Sequence, residues 1–456
     1  MNVSDFFEYM QPGKRGHLIG IGGVSMSALG EVLFSMGINI TGSDMNEGET
    51  VIALRKKGID VTIGHLPESV AGADFVVRTA AVHDDNPEIA AAHEKGIPVF
   101  ERTQAWGAIM RNYKNAICVA GTHGKTTTTS MVTHILMAEN SDPTVMIGGT
   151  LPLLKSGYRV GAGDTIVLES CEYYNSFHSF LPTVAVLLNV DADHLDFFKD
   201  IDDIKASFGT FAGNVPEGGY IVANADDPNT LDSIAGIKGR NIIRFAINND
   251  ADVKAVDIKY GRTTSFDLVY RDAVLTRIEL KVCGKHNIYN ALAAAAAALV
   301  SGVEVKSIAE GLSQFRGAGR RVEYKGEYNG AEIYDDYAHH PNELRATLTA
   351  VRDMGYERVI CAFQPHTYTR TKALFNEFID ALSLADRVYL AEIYAAREKN
   401  TVGISSKDLA DKISGSVYCP KFDELCAKLK NEARAGDIIL TVGAGDIYKV
   451  GEMILA

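Results

Sequence analysis

No run of the 456 residues is apolar for long enough to cross a bilayer; the longest, Ala291 to Val300, falls well short of the roughly 20 residues a spanning helix needs. A basic and then apolar leader is also missing. Met1 to Met10 is acidic and aromatic, so no secretory signal is expected and the protein reads as cytoplasmic. Cysteine is sparse: Cys118, Cys171, Cys283, Cys361, Cys419 and Cys426 are scattered, with no close CxxC pair. That spacing argues against a disulfide framework or a cysteine-held metal and predicts buried structural thiols. With 12 prolines and no low-complexity tract, nothing suggests a fibre or an unfolded tail. Positive charge is in deficit. The net charge of -13 argues against non-specific binding to nucleic acid and points to small partners, while leaving room for a local basic pocket for phosphates.

The chain does have length, glycine and repeated strand-loop-helix patterns. Its length alone sets an expectation of about three domains. In the first block, His17 to Ile21 reads as a strand, Gly20 to Gly23 as a tight turn and Ser25 to Met36 as a helix. Further strands at Phe75 to Arg78 and Pro98 to Phe100 alternate with helical stretches, which predicts a parallel sheet wound with helices and closing near Trp106. A strand at Ala116 to Ala120 restarts the pattern, followed by strands at Thr165 to Leu168, Val184 to Leu188 and Tyr220 to Val222. The alanine-rich segment after His286 is expected to be helical, since alanine has the best intrinsic propensity. Phe315 to Arg321, with two glycines and three arginines, reads as a hinge. Strands at Glu332 to Asp335, Val359 to Phe363, Val388 to Ala391 and Ile438 to Val442 then predict another open α/β domain. The expectation is three α/β domains in series, residues 1–106, 107–318 and 319–456.

The phosphate loop carries the clearest chemistry. Gly121-Thr122-His123-Gly124-Lys125-Thr126-Thr127 lies between a strand and a helix, where backbone N–H groups and the helix N-terminus favour phosphate oxygens. Lys125 adds positive charge and Thr126 a hydroxyl for Mg2+. The usual consensus has glycine at position 119, where this chain has Val119, so the loop is a shortened variant. Mg2+ on a nucleotide needs few protein ligands. Glu169 and His194 stand at the carboxyl ends of two strands, the edge at which ligands collect in open α/β sheets. His286, Asn287 and Asn290 open the alanine-rich helix, where they could meet an adenine or simply cap the helix. In the third block, Tyr334 to Pro341 and Gln364 to Arg370 are two histidine-bearing loops after strands. They suit recognition of a carboxylate and handling of an amine proton through His339, His366 and Arg370.

Together these segments resemble the Mur ligase family. GIGGVSMSALGEVL, GTHGKTTTT, ESCEY, NVDADHLD, GKHNIYNALAA, FRGAGRR, YDDYAHHP and FQPHTYTRT occur in the family's order over nearly the whole chain. The resemblance implies an N-terminal Rossmann-like domain for a UDP-sugar, a central P-loop-type ATPase domain and a C-terminal Rossmann-like domain that closes over the site. It implies that the chain couples ATP and Mg2+ to joining L-alanine to UDP-N-acetylmuramate through an acyl phosphate, in cytoplasmic peptidoglycan precursor synthesis. By position it assigns Gly121 to Thr127, His286, Asn287, Asn290 and Arg321 to the nucleotide, and Thr126, Glu169 and His194 to Mg2+. Lys125, His194, His339, His366 and Arg370 become the catalytic candidates, and Gly22, Ser25, Asp44, His65 and Thr79 the UDP-sugar contacts. Two departures stand out. Phe208 falls where related ligases carry a carbamoylated lysine, which agrees with the alanine-adding branch, and Thr367 falls where some members have arginine. Three rivals remain at this point. A nicotinamide-dependent dehydrogenase would want glycine at residue 25, where the chain has Ser25. A P-loop switch or motor would turn over ATP without a muramyl acceptor. A murein-peptide recycling ligase would join a preformed peptide to the same UDP-sugar.

Overall fold

Apolar strands alternating with helices build three sheets, one in each of the three expected blocks. The computed structural model describes residues 2–79, 81–195, 197–396 and 398–456, so Met1 of the N-terminal stretch and Asp196, the last residue of NVDADHLD, lie outside the described residues. In the first sheet five parallel strands take the spatial order Asp60–Ile63, Asn39–Asp44, Arg15–Ile19, Phe75–Arg78, Val99–Glu101. Leu18, Ile19, Val76 and Val77 are fully buried, as expected of parallel strands with both faces covered. The chain order reverses about Arg15–Ile19, which creates a crevice at the carboxyl ends of that strand and Phe75–Arg78.

The central sheet has ten strands, in the order Ala273–Leu280, Thr264–Tyr270, Val253–Lys259, Asn241–Ala246, Tyr220–Asn224, Val184–Leu187, Asn115–Ala120, Thr165–Glu169, Thr144–Leu151, Ser156–Arg159. From Asn241–Ala246 to Thr144–Leu151 the pairs are parallel, and Ser156–Arg159 closes the edge antiparallel. A second reversal point thus falls at Asn115–Ala120, the strand that feeds the phosphate loop. The third sheet runs Glu323–Tyr328, Ala331–Asp336, Asp437–Val442, Arg358–Phe363, Arg387–Leu390, Val417–Tyr418. Only its first pair is antiparallel among the pairs described. It carries two separate apolar cores, one around Phe363 and Phe378 and one around Ile439 and Ile454.

By density of contacts the chain divides into two compact units: Met1–Ala255 with Leu268–Thr276 and Tyr289–Leu312, and Val256–Asp267 with Arg277–Ile288 and Ser313–Ala456. Within the first unit one apolar core runs from the first sheet into the central one. Helix Arg102–Met110 joins them, with Trp106 fully buried. At Gly107 the helix meets the Ser179 carbonyl so closely that a Cβ would stand 1.9 Å from its oxygen, so only glycine fits. Five cysteines are buried and Cys171 is exposed; all six are free. No helix among the described residues is long and apolar enough to cross a membrane.

Candidate active site

The crevice at the first sheet's reversal point opens into a cleft of about 650 Å3. The loops that follow four neighbouring parallel strands line it with Gly20, Gly23 and Ser25, then Asp44, His65 and Thr79. Ser25 accepts from Trp106 Nε1 at 3.1 Å. Gly22 does not line the cleft. Its N–H donates to Asp44 Oδ2 (2.9 Å), so it braces the aspartate that does. Arg102, Met146, Gly148, Glu169 and Cys171 are also among the lining residues, so the cleft continues to the carboxyl end of strand Thr165–Glu169 in the central sheet.

At that end stands the phosphate loop. Strand Asn115–Ala120 is buried from Ala116 onward, and helix Lys125–Ala138 begins directly after the turn. Gly124 caps the helix at φ +84°, and a Cβ there would lie 2.5 Å from Asn290 Oδ1, so both the backbone and the packing demand glycine. Asn189, on the neighbouring strand end, bolts the loop down. It accepts from His123 N (2.8 Å) through Oδ1 and from Thr122 N (3.0 Å) through its carbonyl, and returns a bond from Nδ2 to the His123 carbonyl (3.0 Å). Lys125 Nζ donates to the carbonyls of Gly121 (2.5 Å) and Thr122 (3.1 Å) and to Glu172 Oε2 (2.9 Å). Burial works against its charge, but the Glu172 carboxylate outweighs it and holds the ammonium above the usual lysine range.

Thr126 Oγ1 donates to Glu169 Oε1 at 2.9 Å, while Gly148 N donates to Oε2 at 2.6 Å. Thr127 is buried in the same helical turn. His194, at φ +53°, stacks its ring on Tyr173 with centroids 4.4 Å apart. Since Tyr173 follows Glu172, the partner of Lys125, the three strand-end loops converge on one spot. Phe208 is fully buried and packs edge-on against Phe177 at 5.3 Å, so that position is part of the core.

Asn290 faces the phosphate-loop helix, accepting from Thr128 Oγ1 at 3.2 Å. Asn287 Nδ2 donates to the Cys283 carbonyl (2.7 Å), a bond that secures the start of its own helix. In the second unit His286 lies near Arg321 and Glu343. Burial, aided by the Arg321 charge, pushes its imidazole down to about 4. Arg321 also stacks on Tyr337, and its Nη1 stands 3.7 Å from Glu343 Oε1.

The two histidine loops of the third sheet come together. His339 and His366 have ring centroids 5.8 Å apart, Arg370 Nη1 is 3.3 Å from His366 Nδ1, and His366 stacks on Tyr394. The loops belong together because Ala331–Asp336 and Arg358–Phe363 both flank Asp437–Val442 in parallel. Sequence reasoning missed the third loop of this edge, Gly443 to Asp446, whose Gly443 and Gly445 carbonyls accept from Arg320 at 2.7 and 3.2 Å. It also gave no role to Glu172 or Asn189, although both stand inside the ESCEY and NVDADHLD motifs.

Three family descriptions cover this arrangement in order: the Mur ligase family catalytic domain over residues 15–114, the Mur ligase middle domain over 119–298, and the Mur ligase glutamate ligase domain over 320–445. A UDP-N-acetylmuramate--L-alanine ligase of Caldanaerobacter subterraneus is 47% identical over 97% of both chains. The chain belongs to the Mur ligase family. Another relative of the same name, from Clostridium acetobutylicum, is 44% identical over 97% of this chain and 98% of its own. Among solved Mur ligase structures, a UDP-N-acetylmuramate-alanine ligase from Thermotoga maritima superposes with a TM-score of 0.77 at 28% identity, covering 97% of this chain and 98% of that one. A murein peptide ligase from Psychrobacter arcticus gives a TM-score of 0.66 at 25% identity over the same shares.

Proposed function

We propose that the protein is an ATP-dependent amide-bond-forming ligase that joins L-alanine to the lactyl carboxylate of UDP-N-acetylmuramate, with ADP and phosphate as co-products, in peptidoglycan precursor synthesis. One observation carries the reading: the loops bearing Ser25, Asp44, His65 and Thr79 share a cleft with Glu169, whose carboxylate accepts from Thr126 of the phosphate loop. A sugar nucleotide in the cleft and a triphosphate on the loop would meet at Glu169. Alanine is preferred to a preformed peptide because full-length relatives at 44–47% identity bear the alanine ligase name, whereas the murein peptide ligase shares 25%. On this reading residues 1–106, 107–318 and 319–456 serve the UDP-sugar, ATP and the amino acid.

The lactyl carboxylate attacks the γ-phosphorus, ADP departs, and an acyl phosphate forms. The neutral alanine amine then attacks the acyl carbon and phosphate leaves with the bridging oxygen. Carboxylate and triphosphate repel one another, so Lys125 and the N-terminus of helix Lys125–Ala138 supply positive potential without covalent chemistry. The hydroxyl of Thr126 and the carboxylate of Glu169, already within one hydrogen bond, are the hard oxygen donors that suit Mg2+, with His194 beside them. Bound there, Mg2+ would neutralise phosphate charge. His286, Asn287, Asn290 and Arg321 serve the nucleotide, Arg370 holds the alanine carboxylate, and His339 or His366 takes the amine proton. The test is isotopic. With 18O in the lactyl carboxylate, the released phosphate should carry one labelled oxygen; unlabelled phosphate would rule out the acyl phosphate.

A further inference from the structure

Beneath the cleft lies a buried charge that the chemistry above does not use. Glu88, in the first turn of helix Pro87–Glu94, is fully buried. Its Oε2 accepts from Ser43 Oγ (2.6 Å) and His65 Nδ1 (2.7 Å), and its Oε1 lies 3.3 Å from His17 Nε2. His17, also buried, meets Thr41 Oγ1 at 2.9 Å through its other ring nitrogen. Burial alone would favour the neutral acid, but these donors outweigh it and hold Glu88 below the usual carboxylate range. A buried carboxylate is costly even when well bonded, and apolar side chains of similar volume would often serve stability as well.

Its geometry suggests what the charge is for. Of His17, Ser43, His65 and Glu88, His65 alone lines the cleft. With Nδ1 facing Glu88 Oε2 at 2.7 Å and Ser43 Oγ at 3.2 Å, the ring has Nε2 left for a ligand. Alongside it in the cleft are Gly20, Gly23 and the start of helix Val24–Ser35, a helix N-terminus of the kind that receives phosphates. His65 and Arg102 are the lining residues able to carry positive charge.

We propose that Glu88 is a positioning residue for the sugar nucleotide: it fixes the ring of His65 so that Nε2 meets the diphosphate. The inference rests on reading the cleft as the UDP-sugar site. Its test measures dissociation constants for UDP-N-acetylmuramate, and for UDP alone as a second probe, together with steady-state constants. The proteins compared are the wild type, Glu88→Gln, His65→Ala and the double variant. Glu88→Gln should weaken binding of both probes by roughly ten- to a hundredfold, the worth of a hydrogen bond to a charged group. It should raise KM for the UDP-sugar while leaving kcat and the KM values for ATP and alanine within about twofold, a split that loosened packing would not produce. In the His65→Ala background the same change should add nothing, because Glu88 acts through that ring. Additive losses, or unchanged affinity in folded Glu88→Gln protein, would overturn the proposal. Should that variant fail to fold, Ser43→Ala keeps the carboxylate and frees one bond to it. A smaller weakening that vanishes without His65 is then expected, and one that persists would be contrary. Wild-type protein that binds neither probe would defeat the functional reading as well, whereas normal wild-type binding with an indifferent Glu88→Gln defeats this inference alone.

Discussion

Lys125 shows how much a single residue does here. Its ammonium is held by two loop carbonyls and the buried Glu172. That fixes a positive charge at the loop, whose backbone N–H groups and helix N-terminus would receive a triphosphate. Lys125→Met should lower the rate of ADP formation by roughly a hundred- to a thousandfold, the usual cost of removing one preorganised charge-stabilising donor. A change of less than about tenfold in a coupled assay would argue that the loop does not hold phosphate. His286 makes a different prediction, about stability. Burial first, and Arg321 second, depress its imidazole from 6.5 to about 4. The unfolded chain takes up the proton at a pH where the folded one refuses it, so this contribution is whole above pH 6.5 and lost as pH falls towards 4. Thermal melting should therefore fall across that window, and His286→Gln should flatten the decline in part, since burial depresses His134 to about 4 as well. Parallel melting curves for the two proteins would contradict the assignment.

At the scale of elements, the turn before helix Lys125–Ala138 is the most tightly specified piece of the fold. Gly124→Ala would force a side chain into the left-handed region and against Asn290 Oδ1. We expect a loss of about 1–3 kcal/mol in stability, read from chemical denaturation, with weaker nucleotide binding. An unchanged midpoint would mean that the turn relaxes freely. This element was legible in the sequence because glycines, lysine and threonines sit between an apolar strand and a helix, and strands Phe75–Arg78, Thr165–Glu169 and Arg358–Phe363 were legible for a similar reason. Strands Asn241–Ala246 to Ala273–Leu280 were not anticipated. They lie on one side of the central sheet, and several are half exposed and carry charge, as in Val253–Lys259, so no apolar run marks them. Glu88 was invisible for another reason. Its partners His65, Ser43 and His17 are 23, 45 and 71 residues away, and nothing local in Pro87–Glu94 signals them. Asn287, placed near adenine by the family's pattern, is seen bonding its own helix start, an alternative that a helix-opening asparagine always leaves open.

For the whole molecule, an acidic chain with a net charge of -13 is proposed to bring together two polyanionic substrates. Local devices reconcile the two facts: helix N-termini at Val24 and Lys125, the Lys125 ammonium, and the oxygen pair Thr126 and Glu169 that suits a divalent cation. The three sheets put each set of loops at the carboxyl ends of parallel strands, which explains why widely separated motifs gather into two groups. Chelation should follow from the same account. EDTA should abolish turnover and added Mg2+ restore it, and activity that survives chelation would remove the metal from the proposal. The most direct test of the central claim is phosphate release from ATP in the presence of Mg2+ and UDP-N-acetylmuramate, with L-alanine, a murein tripeptide or no amino acceptor. The account predicts release that requires both the UDP-sugar and L-alanine. Release that requires the tripeptide instead, or that needs neither acceptor nor UDP-sugar, would contradict it.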